Sequence, residues 1–290
     1  MVMKQAIIDN IGIFLLKKGF TIKSMTHTCF DIIARSSSMV LLIKVLEDAN
    51  SIKKEFTDEM EHISSYINAS PLIIAEKAGS NLENNVVYSR FGIYTLNLAT
   101  FRNCINNNFP FVKRTQAGLT ACILGKKLRQ KREHEGYSIN ELSKKLGVSS
   151  RMITKYENND SEIRIEKAIR LYNLLGDEVF DKINVLGSEK RLFEEGKSDI
   201  SKKYSNLGFK SLETKKVPFD IIAKKDKDII LTGIGDNTSP KFSSLSRLLD
   251  VDNLIIFKKK KPKNIPALTK EEFLDFEKSN ELIKFLKEFD

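Results

Sequence analysis

Cysteine is scarce. The 290 residues hold three, Cys29, Cys104 and Cys122, far apart and with no Cys-x-x-Cys among them. An odd, sparse count fits a reducing cytosol and argues against both a disulfide framework and a zinc site. Histidine is as short, with His27, His62 and His134 only, so a histidine-based metal or catalytic centre has little to draw on. No stretch approaches the roughly 18 unbroken apolar residues that a membrane span needs. Lys4 and Asp9 interrupt what would have to be the apolar core of a signal peptide. The expectation is an intracellular, cytoplasmic chain with no membrane partner and no cofactor.

What is present points elsewhere. Hydrophobic residues make up 41% and charged residues 30%, enough to bury real cores and stay soluble. The net charge is +10 and the isoelectric point is near 9.3. A basic balance favours a polyanionic partner, although a lysine-rich chain with solvated faces would carry the same charge. The densest basic run, Lys258 to Lys261 with Lys263, reads as a strand end, with a phosphate-binding patch as the alternative.

The length suggests two or three domains, and the chain breaks twice. One break is the Asn/Pro-rich stretch from Asn106 to Gly118, the other is near Gly187-Ser188. The expected domains are 1–117, 118–187 and 188–290, each of plausible size.

The first segment alternates helix and strand. Ile7, Ile8, Ile11, Phe14 and Leu15 recur at helical spacing. FDIIAR from Phe30 and MVLLIKV from Met39 read as adjacent buried strands. A helix is expected over 51–67, then a strand from Pro71, further strand from Val86 and a closing helix from Leu98. The third segment repeats the plan. Gly19-Phe20 aligns with Gly208-Phe209, and Phe30 to Ala34 aligns without a gap with Phe219 to Ala223. PLIIAEK from Pro71 matches NLIIFKK from Asn253 after a shortened helix, and IYTLNLATF from Ile93 resembles IPALTKEEF from Ile265. An internal duplication of an α/β unit accounts for these matches.

Several independent signals coincide between the two copies. Leu128 and Arg132 share a face of one helix, which stops at Gly136. Ser138-Ile139-Asn140-Glu141 is a capping box that starts a second helix with Leu142 and Leu146 inward. Gly147 suits the left-handed geometry of a helix end. Ser149 then caps a third helix carrying Ile153 and Tyr156, and a final amphipathic helix is expected over 162–175.

This stretch resembles the helix-turn-helix of the Cro/phage-repressor (XRE) family over about 55 residues. The pattern that carries the likeness is Leu142-x-x-x-Leu146-Gly147-Val148-Ser149, then Ile153 and Glu157. The resemblance implies a recognition helix at about 149–158 lying in the major groove of double-stranded DNA, where base edges present a distinct donor and acceptor code. It implies base readout by Ser150, Arg151, Met152 and Lys155, with Arg151 best suited to guanine. It implies phosphate contacts from Ser149, Asn158 and Asn159, with Ser138 or Asn140 on the backbone where the family often has a Gln and this chain has Ile139. It also implies a structural ion pair between Arg132 and Glu157.

The flanking copies resemble the restriction-endonuclease-like PD-(D/E)xK fold, as in archaeal Holliday-junction resolvases. In active members the strand after the first Asp supplies an acidic residue and, two positions on, a Lys, which together hold a metal and activate water. Here Asp31 and Asp220 stand at the first position. The acidic position falls on Lys44 and Gly233, and the Lys position on Leu46 and Gly235. Glu47 and Asp236 lie three residues beyond, on the other face of an alternating strand. No nuclease activity is expected.

The expected architecture is therefore α/β plus all-α, a central Cro/repressor-type helix-turn-helix bundle flanked by two related PD-(D/E)xK-like domains. Over most of its length the chain resembles an archaeal family of helix-turn-helix transcriptional regulators. The resemblance implies a non-enzymatic, sequence-specific DNA-binding regulator acting as a homodimer, with other transcription proteins as further partners. Two alternatives stand beside it: a structure-specific nuclease that uses the motif for targeting, and an antitoxin-like protein-interaction module that carries it.

Overall fold

The computed structural model of the chain describes residues 2–25, 28–187, 196–236 and 240–289. Ser188, at the second expected break, lies outside the described residues, as do Thr26 and His27 of the first repeat. The chain divides into two compact units. One holds Met1–Leu46, Ser51–Ile73 and Leu186–Asp290, the other Glu47–Asn50 and Ile74–Val185. This grouping cuts across the three sequence segments, because the third segment falls in the first unit with most of the first segment as far as Ile73, while residues 74–117 fall in the second.

The elements follow the side-chain periodicities. The first repeat opens with α1 (Val2–Lys17), whose Ile7, Ile11 and Leu15 are buried. Then come β1 (Thr21–Ser24), β2 (Ile32–Arg35) and β3 (Val40–Asp48). A short 3-10 turn at Ala49–Ser51 leads to α2 (Lys54–Ile67) and β4 (Ala69–Ala78). In the first unit these strands lie in the order β1-β2-β3-β4.

The second unit takes up β4 and continues through β5 (Ser80–Asn81), β6 (Val86–Arg90), β7 (Ile93–Leu96) and α3 (Leu98–Ile105). The stretch expected as one strand from Val86 is a hairpin, β6 against β7. Phe91 and Gly92 turn it, both with positive φ, 49° and 91°. The Asn106–Gly118 break also needs correction. It contains β8 (Val112–Thr115), which pairs in parallel with β6 and turns into β9 (Gly118–Ala121). Four helices follow: α4 (Gly125–His134), α5 (Ile139–Leu146), α6 (Ser150–Glu157) and α7 (Ile165–Leu175). The last was expected to begin at Glu162. Instead β10 (Ile163–Arg164) pairs with Ala121 and Thr120 of β9, and the helix starts after it. The strand order of this unit is β4-β7-β6-β8-β9-β10, with β5 on β4.

The second repeat, back in the first unit, runs α8 (Asp199–Asn206), β11 (Lys210–Glu213), β12 (Ile221–Lys225), β13 (Asp228–Ile234), α9 (Pro240–Leu249), β14 (Asp252–Ile256), β15 (Ala267–Leu268), α10 (Lys270–Asp275) and α11 (Ser279–Lys287). Its sheet order is β11-β12-β13-β14-β15.

The repeats share one register. Thr21 pairs with Arg35 as Lys210 pairs with Lys224, and Ile32 with Ile43 as Ile221 with Thr232. Gly19 and Gly208, both with positive φ, end the first helix of each copy, and the Phe after each donates its N–H to Leu15 or Tyr204. Only glycine takes that conformation at no steric cost, which is why the Gly-Phe pair recurs. Lys258–Lys260 follow the end of β14 and are exposed, as a strand end should be.

Candidate nucleic-acid interface

Four short helices make a bundle because each presents one apolar stripe. Leu128, Leu142, Leu146, Ile153, Tyr156, Ala168, Leu171 and Leu175 form one core with Ala121, Ile123, Ile163, Val179 and Phe180. The helix ends are chemically satisfied. The Ser138 hydroxyl accepts from the Glu141 N–H at 3.1 Å, and Glu141 Oε2 accepts from the Ser138 N–H at 2.7 Å. That bond to the backbone holds the Glu141 carboxyl below the usual range. Gly147 ends α5 at φ 65°. Two residues on, the Ser149 hydroxyl accepts from Met152 N–H at 3.3 Å and starts α6.

One ion pair ties the bundle together. Arg132 Nε lies 2.6 Å from Glu157 Oε1, and its Nη2 3.4 Å from Oε2. The third guanidinium nitrogen donates to the Tyr137 carbonyl at 2.9 Å. Both side chains are less than a tenth exposed. The Glu157 carboxylate holds the Arg132 guanidinium above its ordinary value. Gly125 is a further constraint that sequence patterns did not single out. A Cβ there would stand 2.1 Å from the Glu157 carbonyl oxygen, so α4 starts flush against the end of α6.

The residues expected to read DNA fall into two groups. Arg151 and Lys155 are exposed, and neither side chain has a hydrogen-bond or ion-pair partner among the described residues. They lie one helical turn apart on α6. The others are partly engaged in the protein. Ser150 donates to Asn140 Oδ1 at 2.6 Å. Met152 is half-buried against the core. Asn158 caps the C-terminus of α6 and is exposed. Asn159 takes a positive φ, and its Oδ1 accepts from Gly125 N–H at 2.6 Å. Ser138 and Ser149 spend one lone pair each on caps. Ile139 is half-buried on the core, an apolar replacement for a backbone-binding side chain.

Two basic groups at this site were not assigned from sequence. Lys167 and Arg170 of α7 reach over the turn between α5 and α6: a Cβ on Gly147 would lie 3.1 Å from Lys167 Nζ and 3.2 Å from Arg170 Nη1. Their spacing on α7 is helical, but only the tertiary fold brings that helix to the turn.

The nuclease-like positions hold a different chemistry. Asp31 Oδ1 is 2.8 Å from Lys4 Nζ and 3.5 Å from Lys44 Nζ, and Oδ2 accepts the Val45 N–H at 2.8 Å. Lys44 also donates to the Thr28 carbonyl at 3.0 Å. Burial pushes the Lys44 ammonium below its ordinary value, and Asp31 opposes that shift. Where a divalent metal would need two carboxylates, the site holds one carboxylate and two ammonium groups. These residues do not fit a metal. In the second copy Asp220 accepts the Ile234 N–H at 2.6 Å, and Gly233 contributes no ligand. Asp236 Oδ1 accepts from the N–H groups of Lys258, Lys259 and Lys260 at 2.7, 2.9 and 3.4 Å, which keeps its carboxyl below the usual range. It caps the basic strand end.

Comparison with known proteins finds two domain families in the chain. Residues 4–110 match the PD-(D/E)XK superfamily domain, and residues 128–177 match a helix-turn-helix domain. A Methanocaldococcus jannaschii protein is 31% identical, covering 99% of this chain and 98% of its own. One from Archaeoglobus fulgidus is 30% identical over 99% and 98%, and one from Thermococcus gammatolerans 27% identical over 98% and 96%. All three are provisionally named HTH-type transcriptional regulatory proteins. No solved structure matches the chain.

Proposed function

The chain belongs to the family of archaeal HTH-type transcriptional regulatory proteins, and from that membership we propose that it is a sequence-specific regulator that reads double-stranded DNA with α6 in the major groove. The observation that carries this is the state of α6. Its caps and its anchoring ion pair are satisfied within the protein, whereas the Arg151 and Lys155 side chains are exposed with no partner among the described residues. Arg151 is the base reader, because a guanidinium engages guanine O6 and N7 bidentately. Lys155 reads a base or a phosphate. Ser149, Ser150, Met152 and Asn158 supply the flanking contacts, and Ser138 and Asn159 the backbone contacts left over from their capping bonds. Lys167 and Arg170 add positive charge at the turn, which strengthens binding without selecting sequence.

The regulator acts as a homodimer on two half-sites, and the three-part division at 117 and 187 separates its reading head from the two nuclease-like parts. It is not an enzyme. The ammonium groups on Asp31 leave no place for the metal that phosphodiester hydrolysis would use, which counts against the nuclease alternative. Arg151→Ala tests the assignment. Loss of one bidentate base contact costs about 1–3 kcal/mol on the preferred site, with binding to unrelated DNA and thermal stability unchanged. An unaltered site preference would remove Arg151, and α6 with it, from the reading face.

A further inference from the structure

The second α/β repeat and most of the first repeat as far as Ile73 lie in one compact unit and touch. Their contacts come in reciprocal pairs. Arg35, at the end of β2, bonds Asp250, just past α9, at 3.3 Å. Lys224, on β12, bonds Asn68, just past α2, also at 3.3 Å. The shared register makes Arg35 and Lys224 counterparts, each opposite the first residue of the preceding strand. Asn68 and Asp250 are counterparts too. Each follows its helix by one residue and takes a left-handed backbone, φ 51° and 58°. The helices cross in the same sense, each onto the other copy's first two strands: α2 of the first copy packs on β12 of the second, and α9 of the second packs on β1 of the first, the strand beside β12's counterpart β2.

A contact that recurs with the roles of the two partners swapped is the signature of an isologous, twofold interface. Two related domains packed by chance have no reason to obey it. We infer that the repeats pair about an internal pseudo-twofold axis, so that one chain contains both halves of a dimer that an unduplicated ancestor would need two chains to build. The surface formed by β1, β2 and α2, and by their counterparts, is an interaction surface whose partner is the other repeat of the same chain.

The halves have since become distinct. Glu59 on α2 accepts the N–H groups of Lys215 and Lys216, both at 2.7 Å, and the Lys216 carbonyl in turn accepts the Cys29 N–H at 2.8 Å. The Phe56 ring carries Lys44 of its own repeat at 5.3 Å and Lys216 of the other at 5.7 Å. At the position of Glu59, α9 has Lys241. A carboxylate on one helix and an ammonium on its counterpart make unlike repeats the matched pair. The surface is therefore saturated within one chain, and a second chain has to dock elsewhere. This holds whether or not the protein reads DNA as proposed above.

Paired cysteines in the full chain test it. In a Cys122→Ser background, one protein carries Arg35→Cys with Asp250→Cys and another Asn68→Cys with Lys224→Cys. Each is treated with a short bis-maleimide over a hundredfold range of protein concentration. The expected result is one linker per single chain for both pairs, with a yield independent of concentration, and peptide mapping that joins the two named segments. Links that form only between chains, or in one pair while the other stays open, would overturn the pseudo-twofold. Charge exchange is the second measurement. Asp250→Lys lowers the melting temperature, and adding Arg35→Asp restores it. No recovery in the double variant would contradict the contact on which the symmetry rests.

Discussion

Arg132 and Glu157 lie far apart in sequence and bond at 2.6 Å with both side chains buried. Removing one partner strands the other. Glu157→Ala leaves the buried guanidinium with only the Glu133 carboxylate at 3.2 Å and the Tyr137 carbonyl, and should cost about 3 kcal/mol of stability, read as a fall in the denaturant midpoint. Replacing both with leucine should recover most of that loss. Little effect from the single change would mean that Glu133 alone suffices to hold Arg132. The pair was legible in the sequence only through resemblance to the repressor family, since neither residue announces its partner. The substitution of ammonium for metal at Asp31 was half legible. Lys44 at the acidic position was visible, but Lys4 comes from α1, and only the fold brings its ammonium to 2.8 Å.

At the scale of elements, the helices of the reading head were legible because caps, apolar stripes and glycine stops agree with one another. Ser138–Glu141 forms both bonds of its capping box. Glu141 has its folded pKa depressed by the Ser138 backbone. Its contribution is therefore present above the ordinary glutamate value, about 4.3, and is lost as pH falls through the lower folded value. The Ser138 amide resonance should follow that titration, and Glu141→Gln should abolish it. A pH-independent amide would show the cap does not depend on charge. Gly125 was not legible, since its constraint is a backbone 32 residues away in number but in contact in space (157 less 125). Gly125→Ala overpacks the α4–α6 junction and should destabilise by about 1–3 kcal/mol, measured by thermal melting. A neutral substitution would contradict the close approach. The strands β8, β9 and β10 were hidden for a related reason. They are short and polar, and their identity comes from distant partners: Ile163 is a strand because Ala121 is there to pair with it.

The whole molecule carries a helix-turn-helix domain, whose exposed Arg151 and Lys155 side chains have no partner among the described residues, and two α/β repeats, the first of which matches the PD-(D/E)XK superfamily domain and carries lysines against Asp31. The duplication was legible from Gly19-Phe20 and Gly208-Phe209 and from the two FDIIA runs, and the structure gives the copies one register. Their pairing with each other was not, because reciprocal contacts such as Arg35–Asp250 and Lys224–Asn68 join residues that sequence alone does not relate. The most direct measurement is selection of genomic DNA fragments by the purified chain, at fixed salt and with magnesium present. Recovery of intact fragments sharing a short motif of two related half-sites, lost in Arg151→Ala, is the expected result. Salt-sensitive binding with no shared motif would contradict sequence-specific readout by α6, and fragments cut in the presence of magnesium would contradict the disarmed chemistry at Asp31.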